Sequence, residues 1–393
     1  MAMVRPGVWI MNIDWSEGAS VNLLSGQRGS GKSTQLRRLE KILAGQGCVV
    51  FRCDMSDYLN LTTPVEISDF FFSMMGALGD AVGEKYGKDF LKENYWDRAV
   101  RFLKSDIGVE ETRVKTGIAD FKASLKNDPS FKAELQKHMR GHIAALIRQA
   151  HAFSDEVVDY VRRKTGDPEK KAVLILDSIE QIRGVGEEAQ SVYDSVENLF
   201  SAHAEHLRLS LMHVVYTVPP YLPPLVPGLG RNLGTALNTL PSLHVRKKGD
   251  GADDPEGLKI LSDIVAHRFE RWSEVFTPDA IQRMGRNTAG DLRDFFRLIR
   301  EVLNLMSISR SAALPVQDGV LEEAENKLRR EMLPIADADR AWLKRISESK
   351  SAELPGVKDL PTLARYFDTN LIQNYRNGED WYDVHPLIRH VLD

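Results

Sequence analysis

An α/β fold built on a parallel, helix-covered sheet is what this sequence predicts, and three observations carry the prediction. Short apolar runs alternate with segments of helical spacing. The stretch Gly26-Gln27-Arg28-Gly29-Ser30-Gly31-Lys32-Ser33 fits the phosphate-binding pattern G-x-x-x-x-G-K-[ST] and lies between one such run and one such segment. A later run, Val173-Leu174-Ile175-Leu176, is wholly apolar and ends in Asp177.

Taken in order, Val21 to Ser25 is the first expected strand, and Thr34 to Leu43 carries apolar residues at helical spacing. Gly45-Gln46-Gly47 ends that helix, and Cys48 to Asp54 is a second, buried strand. From Val65 to about Thr165 the pattern is almost wholly helical. Phe70, Phe71, Phe72, Met74, Met75, Leu78 and Val82 form one wide apolar face, and Phe131, Leu135, Met139, His142, Ile143 and Leu146 another. Asn127-Asp128-Pro129-Ser130 is a helix start. Ala172 to Asp177 is the third strand, Leu211 to Thr217 the fourth, and Leu243 to Arg246 a short fifth. Helices are expected over 258–272, 278–284, 292–306 and 320–332, followed by a compact terminal segment. The organisation expected is a core over 1–250 with a helical insertion at about 62–166, a helical lid over 251–333, and a terminal domain over 334–393.

A chain of 393 residues needs more than one small core. A net charge of −4 gives no global attraction to nucleic acid. No apolar run is long enough for a membrane span, and Arg5 has no long apolar core after it, so neither an anchor nor a signal peptide is expected. Cys48 and Cys53 cannot make a disulfide framework; they are expected as small packed residues in a reducing cytoplasm.

The glycine loop explains itself chemically. Its backbone N–H groups and the following helix N-terminus favour a phosphate. Gly26, Gln27, Arg28, Gly29, Ser30, Gly31, Lys32, Ser33 and Thr34 are therefore expected to hold nucleotide. Lys32 would reach the β- and γ-phosphates, and the Ser33 hydroxyl would ligate Mg²⁺. A buried strand ending in an acid supplies the second metal-side ligand, Asp177, which makes Mg-ATP the expected ligand pair.

With those motifs in hand, the chain resembles the AAA+ class of P-loop ATPases. Gly290-Asp291-Leu292-Arg293-Asp294 is similar to the sensor 2 element of its lids, especially in the origin-recognition/Cdc6 and STAND-like branches. Tyr375 to Ile388 is similar to the hairpin and last helix of a winged-helix domain. The resemblance implies that Thr217 is sensor 1, that Arg293 is sensor 2, and that a neighbouring subunit offers an arginine finger. Arg231 is the candidate finger by position, with Arg208, Arg268 and Arg271 as competitors. It also implies a homo-oligomer with a protein partner, and a role in bacterial defence or mobile-element systems. One departure stands out. The class places a glutamate directly after the strand-ending aspartate, and here that place is Ser178. Glu180 is the expected water-orienting acid, with Asp54 and Asp57 as rivals; without one, the protein would be a nucleotide-gated switch rather than an ATP hydrolase. DNA contact by the terminal segment is an open alternative, weakened because Lys344, Arg345 and Arg376 are offset by Asp359, Asp380 and Asp383.

Overall fold

The computed structural model describes residues 13, 16, 18–87, 91, 93–105, 118–226, 228–308 and 313–392. Arg5 and part of the expected insertion lie outside them. Two compact bodies are formed. The sheet body holds the described residues up to Ser25 together with Ser33–Asn238; the C-terminal body holds Gly26–Lys32 together with the chain from Thr239 onward.

The sheet is built from β1 (Val21–Gly26), β2 (Val49–Asp54), β3 (Ala172–Asp177), β4 (His213–Val218) and β5 (Leu237–Leu240), in the order β2-β3-β4-β1-β5. β2 pairs with β3, β3 with β4, and β1 with β4, all parallel. Every residue of β1, β3 and β4 is buried, which is why these strands are mostly apolar and do not alternate apolar with polar residues. The register sets Asp54 opposite Asp177 at the carboxyl end of β2 and β3.

Helix α1 (Lys32–Gly45) buries Leu36, Leu39 and Leu43, the spacing of one helical face. The expected insertion is helical where described: α2 (Ile67–Tyr86), α3 (Tyr95–Ser105), α4 (Ile118–Asn127), α5 (Pro129–Met139) and α6 (Ile143–Thr165). Phe70, Phe71, Phe72, Met74, Met75 and Leu78 are fully buried, and Phe70 meets Tyr216 of β4 with ring centroids 6.2 Å apart. Asp128 caps α5 by accepting from the Ser130 and Phe131 N–H groups, with Pro129 at the first helical position. Helix α7 (Ala189–Phe200) links β3 to β4 on the sheet's flank, burying Tyr193, Val196 and Phe200.

In the C-terminal body α8 (Pro255–Arg268), α9 (Pro278–Asn287), α10 (Leu292–Ile308) and α11 (Asp318–Glu331) share a core that includes Leu258, Leu261, Ile281, Met284, Phe295, Leu298 and Leu321. Asp254 and Thr277 cap α8 and α9. Helices α12 (Asp337–Ser349) and α13 (Leu360–Asp368) precede a hairpin of β6 (Ile372–Asn377) and β7 (Glu379–Val384), and a 3-10 turn spans Pro386–Val391.

One strand is displaced from its expected place. The fifth strand is Leu237–Leu240, not Leu243–Arg246. The later residues are taken up differently: the His244 ring bonds the Asp254 carboxylate and the Arg376 carbonyl, and Val245 accepts from the Asp254 N–H. Short apolar runs beside a polar turn do not declare which partner will take their backbone.

Candidate functional site

At the carboxyl end of the sheet, β3 delivers Asp177 and α1 delivers Ser33. The Ser33 hydroxyl donates to Asp177 Oδ1 at 3.5 Å. Burial pushes the Asp177 carboxyl up from its ordinary range, and the charges of Glu180 and Asp54 push it further. A hydroxyl beside a crowded carboxylate is the donor set a hard divalent cation takes, and the cation would relieve that crowding. Asp177 and Ser33 therefore fit Mg²⁺.

After Asp177 the chain turns sharply. Ser178 adopts the left-handed conformation at φ 72°, and Ile179–Gln181 form a single 3-10 turn. That turn folds Glu180 back into the protein, where it is buried. Thr217 of β4 locks it: its hydroxyl donates to the Leu176 carbonyl and accepts from the Ile179 N–H, both at 3.1 Å. Asp54 accepts from the Ser56 N–H at 3.0 Å. Burial works against its charged form, but hydrogen bonds from Ser56 and Ser178 and the Arg52 charge hold its carboxyl below the ordinary range. Asp57 is exposed on the turn after β2.

In the C-terminal body the glycine loop Gly26–Lys32 is packed by chain from far away. Lys32 is buried, its Nζ donating to the Gly26 and Gln27 carbonyls at 2.7 Å each. Gly29 has φ +99°, and a Cβ there would lie 2.5 Å from the Asp291 carboxylate and 2.8 Å from Arg293 Cβ, so only glycine fits. Gly290, at φ +72°, is likewise required: a Cβ would strike the Leu243 carbonyl. Asp291 caps α10 by accepting from the Asp294 N–H at 2.8 Å. Burial, then the Asp294 charge, push its carboxyl up to about 7. Arg293 is exposed on the first turn of α10. Its neighbour Asp294 is held by Arg297 and Asn370.

The sheet thus carries a glycine loop after β1, an acid ending β3, and a hydroxyl near the end of β4, the strand inserted between them. Strand order and loop placement are those of a P-loop α/β fold. No protein-family model and no curated protein matches this chain. Among solved structures it is similar to the Aeropyrum pernix ORC1 protein in complex with DNA, at 13% identity over 98% of this chain and 89% of that one, with a TM-score of 0.38. The A. pernix ORC2 protein, in ADPNP–ADP complexes, matches at 10% identity over 98% and 90%, TM-score 0.39. The Thermotoga maritima RuvB Holliday junction branch migration motor matches at 13% over 98% and 92%, TM-score 0.38.

The candidate finger arginines are sorted by their neighbours. Arg208 donates to the Leu233 carbonyl at 2.9 Å, Arg268 lies over the Phe296 ring at 4.1 Å, and Arg271 pairs with Glu274. Arg231 is exposed on the short turn Leu229–Asn232. Three sets of contacts lie outside the expectations from sequence. Arg52 reaches toward Asp177 Oδ2 at 4.0 Å and bonds Glu40 at 3.0 Å; a charged residue in an apolar strand, two before Asp54, was its signal. Asp291, packed against the loop at Gly29, was legible only as part of a helix start. For the contacts of the Gln27 side chain no local signal exists.

Proposed function

We propose that this chain binds Mg-ATP at Gly26–Ser33 and Asp177 and hydrolyses it slowly, with the C-terminal helices reporting the state of the nucleotide through Arg293. The observation that carries the reading is the meeting of Ser33 and Asp177 at the sheet's carboxyl end, with Glu180 folded in beside them by the turn that Thr217 locks. Mg²⁺, bound there, would neutralise charge on the β- and γ-phosphates. The protein's own groups have distinct tasks. Lys32, released from the loop carbonyls, would bind the phosphates. Glu180 would orient a water and take its proton as the water oxygen attacks the γ-phosphorus and the bridging oxygen leaves with ADP. Thr217 would act on this step by holding the turn that carries Glu180. Arg231 of a second copy is the finger this reading favours.

The test is steady-state phosphate release by the purified chain. Turnover that needs Mg²⁺ and falls at least tenfold in Asp177→Asn supports the reading; turnover indifferent to that change removes it. A second reading, a nucleotide-gated switch, draws on Ser178, which occupies the place of the usual glutamate in a left-handed conformation. It expects nucleotide retained through purification and no measurable turnover. Light scattering with and without a non-hydrolysable ATP analogue tests the shared site: an unchanged monomer in both would exclude a finger from a second copy. The terminal helices and hairpin are proposed as a winged-helix-like module that docks protein. Duplex DNA binding that weakens steeply with salt would overturn that assignment.

A further inference from the structure

Gln27 is the second residue of the phosphate loop, yet its buried side chain is committed to the C-terminal hairpin. Its Nε2 donates to the Ile372 carbonyl. Its Oε1 accepts from the Asn374 N–H at 2.8 Å. Ile372 and Asn374 are two apart on β6, so both turn these backbone groups away from β7. They form the hairpin's outer edge. A primary amide carries a donor and an acceptor side by side, and here it completes that edge as one residue of a neighbouring strand would. The chain after β5 continues the same edge: the Ser242 N–H donates to the Asn374 carbonyl at 2.9 Å, and its hydroxyl to Gln373 Oε1 at 2.8 Å.

The other end of Gln27 faces the loop's lysine. Lys32 Nζ donates to the Gln27 carbonyl at 2.7 Å, as it does to that of Gly26. If Lys32 turns to a triphosphate, both carbonyls lose that donor, and the loop backbone at Gln27 must find a new arrangement. The residue therefore joins two equilibria: the lysine's choice between loop and phosphate, and the docking of the hairpin edge. A two-stranded hairpin has little stability of its own; buried Ile372, Tyr375 and Trp381 hold it by packing, and its edge contacts add to that hold.

We propose that Gln27 is a positioning residue that couples the nucleotide site to the C-terminal hairpin, each stabilising the other through this one side-chain amide. The inference rests on the reading that Gly26–Ser33 binds ATP. Thermodynamic reciprocity gives it two faces. Loss of the amide should weaken nucleotide, and nucleotide should tighten the hairpin only while the amide is present. Anything that lifts the edge of β6 would then loosen nucleotide.

The experiment uses the full chain, Mg²⁺ and a non-hydrolysable ATP analogue, with calorimetry for affinity and hydrogen exchange for residues 371–384. Three variants are compared with wild type: Gln27→Ala, Asn374→Pro, which removes the N–H that Gln27 accepts and the Asn374 side-chain bond to Tyr382 but no backbone bond to β7, and the double variant. Gln27→Glu, nearly isosteric, serves as a control that keeps the acceptor and loses the donor. The expected results are an analogue-induced slowing of hairpin exchange by about fivefold in wild type, and a loss of affinity of about tenfold in each single variant with the exchange response gone. The double variant should lose no more than either single, because both cut the same link. Glu should fall between Gln and Ala. Full affinity and an intact hairpin response in Gln27→Ala would overturn the proposal, as would losses that add in the double variant. Wild type that binds analogue without any hairpin response removes the coupling alone. Wild type that binds no analogue removes the nucleotide reading and the coupling with it.

Discussion

At the carboxyl end of the sheet, Asp177, Asp54 and Thr217 are each aimed by a strand, and Ser33 by the first turn of a helix. In the C-terminal body, the glycine loop is instead held by side chains and edges distant in sequence: the Gln27–Asn374 bond spans 347 positions. The first arrangement is rigid because parallel strands fix successive residues together. The second depends on a few polar contacts that a ligand can exchange. On the proposed reading, chemistry falls to the sheet body and responsiveness to the C-terminal body.

The largest expected effect probes the loop that chemistry and response share. Lys32→Ala should weaken ATP by at least a hundredfold in equilibrium binding, because it removes the cation that meets the phosphates. A change under threefold would mean the loop does not hold a triphosphate. Next, Glu180→Gln should lower kcat by about a hundredfold while Asp54→Asn lowers it less than threefold, measured by phosphate release under saturating ATP. The reverse order would move the water-orienting role to β2. Thr217→Val should follow, lowering kcat about tenfold with ATP affinity nearly unchanged, and Thr217→Ser should restore most of it, since the hydroxyl and not the methyl group holds the turn.

The smallest effect belongs to the C-terminal body and concerns pH. Asp291 has a raised carboxyl pKa of about 7 when folded, against about 4 in an unfolded chain. The folded protein therefore binds this proton more tightly, and its contribution to stability declines as pH rises from about 4 to about 7, then levels. Asp291→Asn keeps the helix cap and never ionises. It should flatten that decline and gain on the order of 1 kcal/mol at pH 8 relative to pH 4.5, read from urea unfolding at both pH values. An unchanged pH profile would mean that Asp291 is not buried against the loop.

The sheet body was legible in the sequence because its signals are local. The apolar run ending in Asp177 and the Phe70–Val82 face each declare themselves within about a dozen residues, and so does the glycine loop of the other body. The helices of the C-terminal body were legible too, from spacing alone; the caps Asp254 and Thr277 emerge only in the structure. What stayed hidden is tertiary. Nothing near Gln27 tells that its amide closes the edge of β6, and nothing near Gly29 tells that Asp291 lies against it. The displaced fifth strand has the same origin: Leu237–Leu240 and Leu243–Arg246 are equally plausible strands locally, and contacts to Asp254 and Arg376 decide between them.

The most direct test of the account is calorimetric titration of ATP into wild type and Asp177→Asn, with Mg²⁺ and with EDTA. The account expects wild type to bind at least tenfold more tightly with Mg²⁺ than without, and Asp177→Asn to lose that difference while still binding the metal-free nucleotide. Equal affinity in wild type with and without Mg²⁺, or an undiminished Mg²⁺ effect in Asp177→Asn, would contradict it.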